Sequence, residues 1–100
     1  PAILKGWIDR VWNKDVAYGS KFLKHKRALA IGLSASDGPT YAKRGYDTAI
    51  ETQIVTGIFN YCGIADGRFA YLHHSTDGGE RPAQMIKEAY EMGRTFSDDL

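Results

Sequence analysis

The first hydrophobic pattern of the chain has the period of a helix. Six apolar residues fall on one stripe of a period of about 3.6 residues: Ile3, Leu4, Trp7, Ile8, Val11 and Trp12. Pro1 suits the first position of a helix, so we predict a helix from Pro1 to Trp12. A helix this short depends on burying its apolar stripe, and the stripe therefore needs another part of the protein to pack against.

Two short segments have the composition of strands. Ala28–Leu33 is a continuous apolar run bounded by charged residues and serines, which is typical of a central parallel strand covered on both faces. Phe69–His74 is aromatic and apolar enough for a second strand. The residues from Asn13 to Lys26 show no sustained period and predict a loop. We interpret its basic end as solvated, with an anion site as the second interpretation. The cluster consists of Lys21, Lys24, His25, Lys26 and Arg27.

Two further helices are predicted. Thr48 and Glu51 have the spacing of a capping box, and apolar residues follow at helical spacing until Gly63. Pro82 opens the last helix. Its predicted inward positions are Met85, Ile86, Ala89, Tyr90, Gly93 and Phe96.

The order helix, strand, helix, strand, helix predicts an α/β fold. Two strands joined through a helix imply a parallel sheet with a right-handed crossover, and helices on both faces imply a doubly wound arrangement. Such an open sheet normally has about five strands, and Ala28–Leu33 reads as an interior strand. We therefore expect a partial doubly wound sheet of two strands and three helices, with its first strands missing from these residues.

Composition and charge narrow the classes of function. Thirteen Lys and Arg residues against twelve Asp and Glu residues give a net charge of +1, which does not favour nucleic acid as a partner. No apolar run approaches the roughly 20 residues that a bilayer requires, so we expect no membrane insertion. The single cysteine, Cys62, excludes an internal disulfide and favours a cytoplasmic location.

Candidate chemistry lies in the two segments that follow the predicted strands, because open α/β sheets bind ligands beyond the carboxyl ends of their strands. These segments are Ser34–Asp47, which is long for a strand-to-helix loop, and His73–Glu80. Glycines, hydroxyl groups and tyrosines in the first segment suit close approach to a flat or phosphorylated ligand. His73 and His74 would point to opposite faces of a strand, so we expect no metal site. We interpret Cys62 as a buried, inert thiol.

The run PAILKGWIDRV at residues 1–11 resembles a helix of the flavodoxin-like NAD(P)H:quinone oxidoreductases, a family that also includes ancillary subunits of potassium efflux systems. Ala17 and Tyr18 resemble the family's next short stretch, and Leu33–Gly45 with Phe59–Gly63 resembles its later loop and helix. The resemblance implies that residues 1–100 form the carboxyl-terminal part of a flavodoxin-like domain. The first strands and the flavin phosphate loop would then lie upstream of Pro1.

The resemblance also implies an activity. Members of the family hold FAD or FMN and transfer hydride from NAD(P)H to a quinone, usually as dimers whose site draws on both subunits. We therefore expect a flavin-dependent NAD(P)H:quinone oxidoreductase that forms a homodimer, and we expect these residues alone to be inactive and without tight flavin binding. One alternative is a non-catalytic regulatory subunit of the same fold, such as a potassium-efflux ancillary protein. Another is a truncated piece whose open strand edge is covered by a second copy.

Most of the site residues that the resemblance implies follow the first strand. The cofactor-binding residues would be Ser34, Ala35, Ser36, Gly38, Tyr41 and Gly45. Tyr41 would also be catalytic, near the carbonyl edge of the flavin ring, and Tyr18 would line the substrate pocket of the partner subunit. The alternative is that Tyr18 and Tyr41 are rim aromatics without a ligand contact.

The sequence departs from the family pattern at two places. Ser34-Ala35-Ser36-Asp37 stands where the family often shows Thr-Thr-Gly-Gly, and Asp47 stands where it often has histidine or asparagine. A carboxylate cannot donate a hydrogen bond as a neutral imidazole can, which argues against a tyrosine–histidine relay through Asp47.

Overall fold

The computed structural model describes residues 1–100 as four helices and a two-stranded parallel sheet. The elements in chain order are α1 (Ala2–Val11), β1 (Arg27–Leu33), α2 (Gly38–Arg44), α3 (Tyr46–Glu51) with a π-helical continuation (Thr52–Asn60), β2 (Asp66–Leu72) and α4 (Arg81–Arg94). The α/β class and the partial parallel sheet are confirmed. The number of helices is four where three were predicted, because the segment after β1 contains an additional helix.

Helices lie on both faces of the sheet. The strands pair in register from Arg27 opposite Asp66 to the last residue of each strand. The π-helical continuation covers one face, where a Cβ on Gly67 would come within 2.9 Å of the Phe59 Cβ, so glycine permits this close packing. Gly67 is paired with Ala28, and side chains alternate along a strand, so the preceding residue, Arg27, points to the opposite face of the sheet. There its guanidinium binds the Phe96 carbonyl just beyond α4. Arg27 is buried, so its interpretation as part of a solvated basic cluster was wrong, because partners distant in sequence enclose its guanidinium.

The prediction of a loop over Ser34–Asp47 was wrong, because α2 forms within it. Asp37 caps this helix by accepting a hydrogen bond from the Thr40 amide at 2.7 Å, and a proline stands in the first turn. Gly45 ends the helix with φ at +71°, in the left-handed conformation that glycine adopts without strain. The start and stop signals of a helix were present, but no apolar stripe drew attention to them.

The second predicted helix begins three residues earlier than its capping box implied, because its N-cap is Gly45 and not Thr48. Tyr46 opens α3, so Thr48 lies inside the helix, and the Thr48 amide is bonded to the carboxylate of Asp47 at 2.7 Å. The spacing of Thr48 and Glu51 is therefore not a capping box. The helix continues through the predicted apolar positions, but over Thr52–Asn60 it widens to the π form, which its apolar spacing did not indicate.

The boundaries of β2 also differ from the prediction. The strand runs over Asp66–Leu72, whereas Phe69–His74 was expected, so both histidines lie beyond its end. Its polar start is held by the partner strand, because Arg27 donates a hydrogen bond to the Asp66 carboxylate at 2.6 Å. Short-range composition carries no sign of that cross-strand ion pair.

In α4 only part of the predicted inward face is covered. Met85 is buried, and Ala89 and Phe96 are half-buried. Ile86 and Tyr90 are 72% and 68% exposed, so their inward assignment was wrong. Gly93 is also exposed, so its inward assignment was wrong as well. No helix is both long and apolar enough to cross a membrane.

The buried core is small and leaves much apolar surface uncovered. Its apolar members are Ala17, Phe59, Cys62, Ile64, Leu72 and Met85. The prediction of a buried thiol at Cys62 is confirmed, and burial raises the pKa of that thiol, which keeps it protonated. The α1 stripe packs only partly: the Trp12 ring lies 6.3 Å from Phe59, while Ile3 is 92% exposed.

Candidate functional site

The two candidate segments meet at the carboxyl ends of β1 and β2. Three backbone hydrogen bonds hold them together there. The Ser34 amide donates to the Leu72 carbonyl at 3.0 Å, the Ser75 amide donates to the Ser34 carbonyl at 2.9 Å, and the His74 amide donates to the Ser36 carbonyl at 2.9 Å. We call the surface formed by Ser34–Tyr41 together with Tyr71 and His73 the carboxyl-edge crevice.

Some backbone amides of the carboxyl-edge crevice are paired within the chain, and three are not. The Ser36 amide donates to the Ser34 hydroxyl oxygen at 3.0 Å, and the Tyr41 amide donates to the Asp37 carbonyl at 3.2 Å. The amides of Ala35, Asp37 and Gly38 donate to no atom of the protein. Because unpaired amides near a strand end bind acceptor atoms of ligands, these three groups form a ready set of donors.

Aromatic rings gather around Tyr41. Its ring centre lies 5.0 Å from His73, 5.5 Å from Tyr46 and 5.7 Å from Tyr71, each in an edge-to-face arrangement. The rings of Tyr71 and His73 stack in parallel, 5.4 Å apart and 6° from coplanar. The Tyr71 hydroxyl donates to the Asp47 carbonyl at 3.1 Å, which fixes this wall to the start of α3. Burial raises the pKa of Tyr71, so its hydroxyl stays a donor.

Charge at the carboxyl-edge crevice is set by Asp37. The hydrogen bond from the Thr40 amide holds the pKa of the Asp37 carboxyl below its usual range, so the group is ionised at neutral pH. The Nδ1 atom of the exposed His74 lies 3.4 Å from the Asp77 carboxylate. Arg81 donates to the His73 carbonyl at 2.8 Å and thereby ties the start of α4 to the carboxyl-edge crevice.

The structure groups most of the predicted cofactor-binding residues and separates one predicted substrate residue from them. Ser34, Ala35, Ser36, Gly38 and Tyr41 share the carboxyl-edge crevice, and Gly45 ends α2. Tyr18 lies elsewhere, with its ring 5.5 Å from Tyr61. It lines a groove of about 340 Å³ between α1 and the π-helical continuation. Any role of Tyr18 at such a crevice would therefore be at that of another subunit.

Sequence reasoning missed two aromatic members of the carboxyl-edge crevice. Tyr71 was placed in a strand without a role. His73 opens the second candidate segment, but its side chain was considered only as a metal ligand. Their signal was positional, because the last side chains of a parallel strand reach the edge where ligands bind. A cavity of about 500 Å³ lies between the α3 helix with its continuation and β2, away from these residues.

Known proteins resemble the chain in sequence and in fold. A model of the flavodoxin-like fold family matches residues 1–94. The uncharacterized NAD(P)H oxidoreductase YcaK of Escherichia coli is 30% identical over 103 aligned residues, which cover the whole chain and 52% of that protein. An uncharacterized NAD(P)H oxidoreductase of Haemophilus influenzae is 35% identical, with 85% of the chain and 46% of that protein covered.

The fold also resembles that of a protein whose structure has been solved. The NAD(P)H:quinone oxidoreductase from Methanothermobacter marburgensis superposes with a TM-score of 0.84 at 20% identity, with the whole chain and 52% of that protein covered. The chain thus spans about half the length of the proteins it matches. With its two parallel strands and flanking helices, and with residues 1–94 matched by the family model, the chain belongs to the flavodoxin-like fold family.

Proposed function

We propose that the chain is the carboxyl-terminal part of a flavin-dependent NAD(P)H:quinone oxidoreductase, and that its carboxyl-edge crevice contacts the flavin ring of FAD or FMN. Two relatives at 30% and 35% identity are named NAD(P)H oxidoreductases, which supports the oxidoreductase class. The match to about half of each relative supports an incomplete domain, as does the large uncovered apolar surface. A cytoplasmic location is part of the proposal, and the unbridged Cys62 supports it.

The observation that carries the proposal is the set of unpaired donors beside an aromatic wall. A flavin ring is flat and has carbonyl oxygens and ring nitrogens along one edge, which suits the amides of Ala35, Asp37 and Gly38. A Cβ on Gly38 would meet only the His73 ring, at 3.8 Å, so the backbone there is open to close approach. The residues present therefore fit the ring of a flavin.

The residues of the chain have separate roles in this proposal. The bound flavin would supply the two-electron chemistry between NAD(P)H and a quinone. The free amides would orient the ring, and the Tyr41 hydroxyl would donate to a ring carbonyl. The stacked rings of Tyr71 and His73 exclude water from that side.

Tyr18 would contribute to the site across a dimer. Its groove adjoins α1, whose exposed apolar stripe includes Ile3, Leu4 and Trp7. A second subunit packed on this stripe would bury it and bring Tyr18 toward the partner's quinone pocket. The proposed assembly is therefore a homodimer with a small quinone-like substrate.

The proposal is tested on the complete protein that contains these residues. We expect NADPH or NADH oxidation with a naphthoquinone acceptor to require added FMN or FAD, and Tyr41→Phe to lower that rate at least about tenfold. The matched control is Tyr90→Phe, because Tyr90 is exposed on α4, outside both the carboxyl-edge crevice and the groove that contains Tyr18. Absence of flavin-dependent oxidation contradicts the proposal. A flavin-free protein that copurifies with a membrane transporter supports the regulatory subunit instead.

A further inference from the structure

Two adjacent histidines at the end of β2 have contrasting surroundings. The His73 ring packs against Tyr41 and Tyr71, and its Nδ1 atom is buried without any hydrogen-bond partner. The His74 ring is exposed and faces Asp77. A buried polar atom without a partner is uncommon in a native protein and calls for an explanation. The neighbouring His74 supplies an internal reference for it.

The surroundings of His73 determine which nitrogen carries the proton. A buried N–H group without an acceptor is rarer and costs more than a buried lone pair. Nδ1 therefore keeps its lone pair, and the proton of the neutral ring sits on Nε2. Nε2 has no partner in the chain, yet it is not sealed from solvent as Nδ1 is. It lies 3.8 Å from the position that a Cβ on Gly38 would take.

We propose that His73 is a further ligand-binding residue, whose Nε2–H donates a hydrogen bond to a carbonyl oxygen of the ring bound in the carboxyl-edge crevice. Its donor joins the free amides of Ala35, Asp37 and Gly38 on the same surface. The Tyr71 stack and the Arg81 hydrogen bond to the His73 carbonyl hold the imidazole in place. The inference rests on the proposed flavin site and deepens it, because it selects planar ligands that present a carbonyl at this point.

The contact is tested on the complete protein that contains these residues. FMN is titrated, up to millimolar concentration, into that protein and into two variants of it. His73→Phe keeps a flat ring against Tyr71 and removes the donor, so we expect about tenfold weaker FMN binding. His74→Asn is the matched control, because asparagine tolerates the positive φ of 60° at this position. We expect it to change the affinity by less than about twofold. Equal affinity of His73→Phe and the unchanged protein overturns the contact.

A second measurement does not depend on affinity. In protein with ¹⁵N-labelled histidine, long-range ¹H–¹⁵N spectra are expected to show His73 protonated on Nε2 without ligand, and FMN is expected to shift that nitrogen but not the His74 nitrogens. A proton on Nδ1 overturns the inference. If FMN binds every variant equally, only the His73 contact fails and the flavin proposal stands. If FMN binds none of them, both fail.

Discussion

The two ends of the small sheet differ in whether their polar groups have hydrogen-bond partners within the chain. At the amino end, every nitrogen of the buried Arg27 guanidinium has a partner: Asp66, Asp99, and the carbonyls of Phe96 and Asp98, at 2.6 to 3.0 Å. At the carboxyl end, the amides of Ala35, Asp37 and Gly38 and the ring of His73 have none. A satisfied buried cluster stabilises a fold, whereas donors left unpaired at a strand edge are available to a ligand.

Removing the Arg27 guanidinium should destabilise the amino end of the sheet. Arg27→Met removes the 2.6 Å hydrogen bond to the Asp66 carboxylate and the bonds that hold the chain after α4, so we expect Tm to fall by roughly 10 °C or more. Thermal unfolding followed by circular dichroism measures it. Arg68→Met is the matched control, because its guanidinium is half exposed and contacts only Asp66. A fall in Tm no larger than the control's would show that Arg27 is not the structural anchor.

A methyl group at the carboxyl end should affect binding and spare the fold. Gly38→Ala places a Cβ at ordinary contact distance from His73, so the fold accommodates it, while a ring lying on the backbone would be displaced. We expect about tenfold weaker FMN binding with Tm unchanged or slightly raised. Gly93→Ala in α4 is the control, since nothing lies near its Cβ position. Unchanged FMN affinity in Gly38→Ala would mean that no ligand approaches this backbone.

The carboxyl end was located from the sequence because the topology of parallel sheets dictates it. The apolar run Ala28–Leu33 predicted a parallel strand covered on both faces, and that prediction directed attention to Ser34 and the residues after it. The strand is parallel, but Ile31 and Leu33 are exposed, so the predicted coverage of both faces was wrong for these residues. The same reasoning located the segment that begins at His73 but gave the His73 ring no contact with a ligand. Its role depends on stacking with Tyr71 and on the sealing of Nδ1, which are properties of packing between two strands rather than of composition.

The amino end could not have been read from the sequence in the same way. Arg27 and Asp66 are 39 residues apart, and each is the first residue of its strand, where a charged residue is ordinarily read as a boundary. The apolar stripe of α1 was predicted correctly as a stripe. The packing of the stripe was not predicted, because no part of residues 1–100 covers Ile3, and Trp7 is half exposed.

The Tyr71 hydroxyl is a donor at the carboxyl end that does have a partner, so we expect it to stabilise the fold, unlike the unpaired donors beside it. Tyr71→Phe removes its hydrogen bond to the Asp47 carbonyl but keeps the ring stack with His73. We expect a loss of about 1 kcal/mol in the free energy of unfolding, measured by urea denaturation. Tyr61→Phe is the control, because its exposed hydroxyl makes no hydrogen bond. Equal stability of both variants would remove Tyr71 from the group of structural contacts.

The smallest expected effect concerns pH and the cap of α2. The Thr40 amide lowers the pKa of Asp37 in the folded protein, so the ionised carboxylate stabilises the fold above the unfolded pKa of about 3.9. That stability is lost as pH falls through the lower pKa of the folded state. Asp37→Asn keeps a capping oxygen without titrating, so we expect its Tm to fall less between pH about 5 and about 2. Asp66 and Glu91, whose pKa values are also lowered, contribute equally to both proteins and cancel. Parallel curves of Tm against pH would show that the cap is not charged in the folded state.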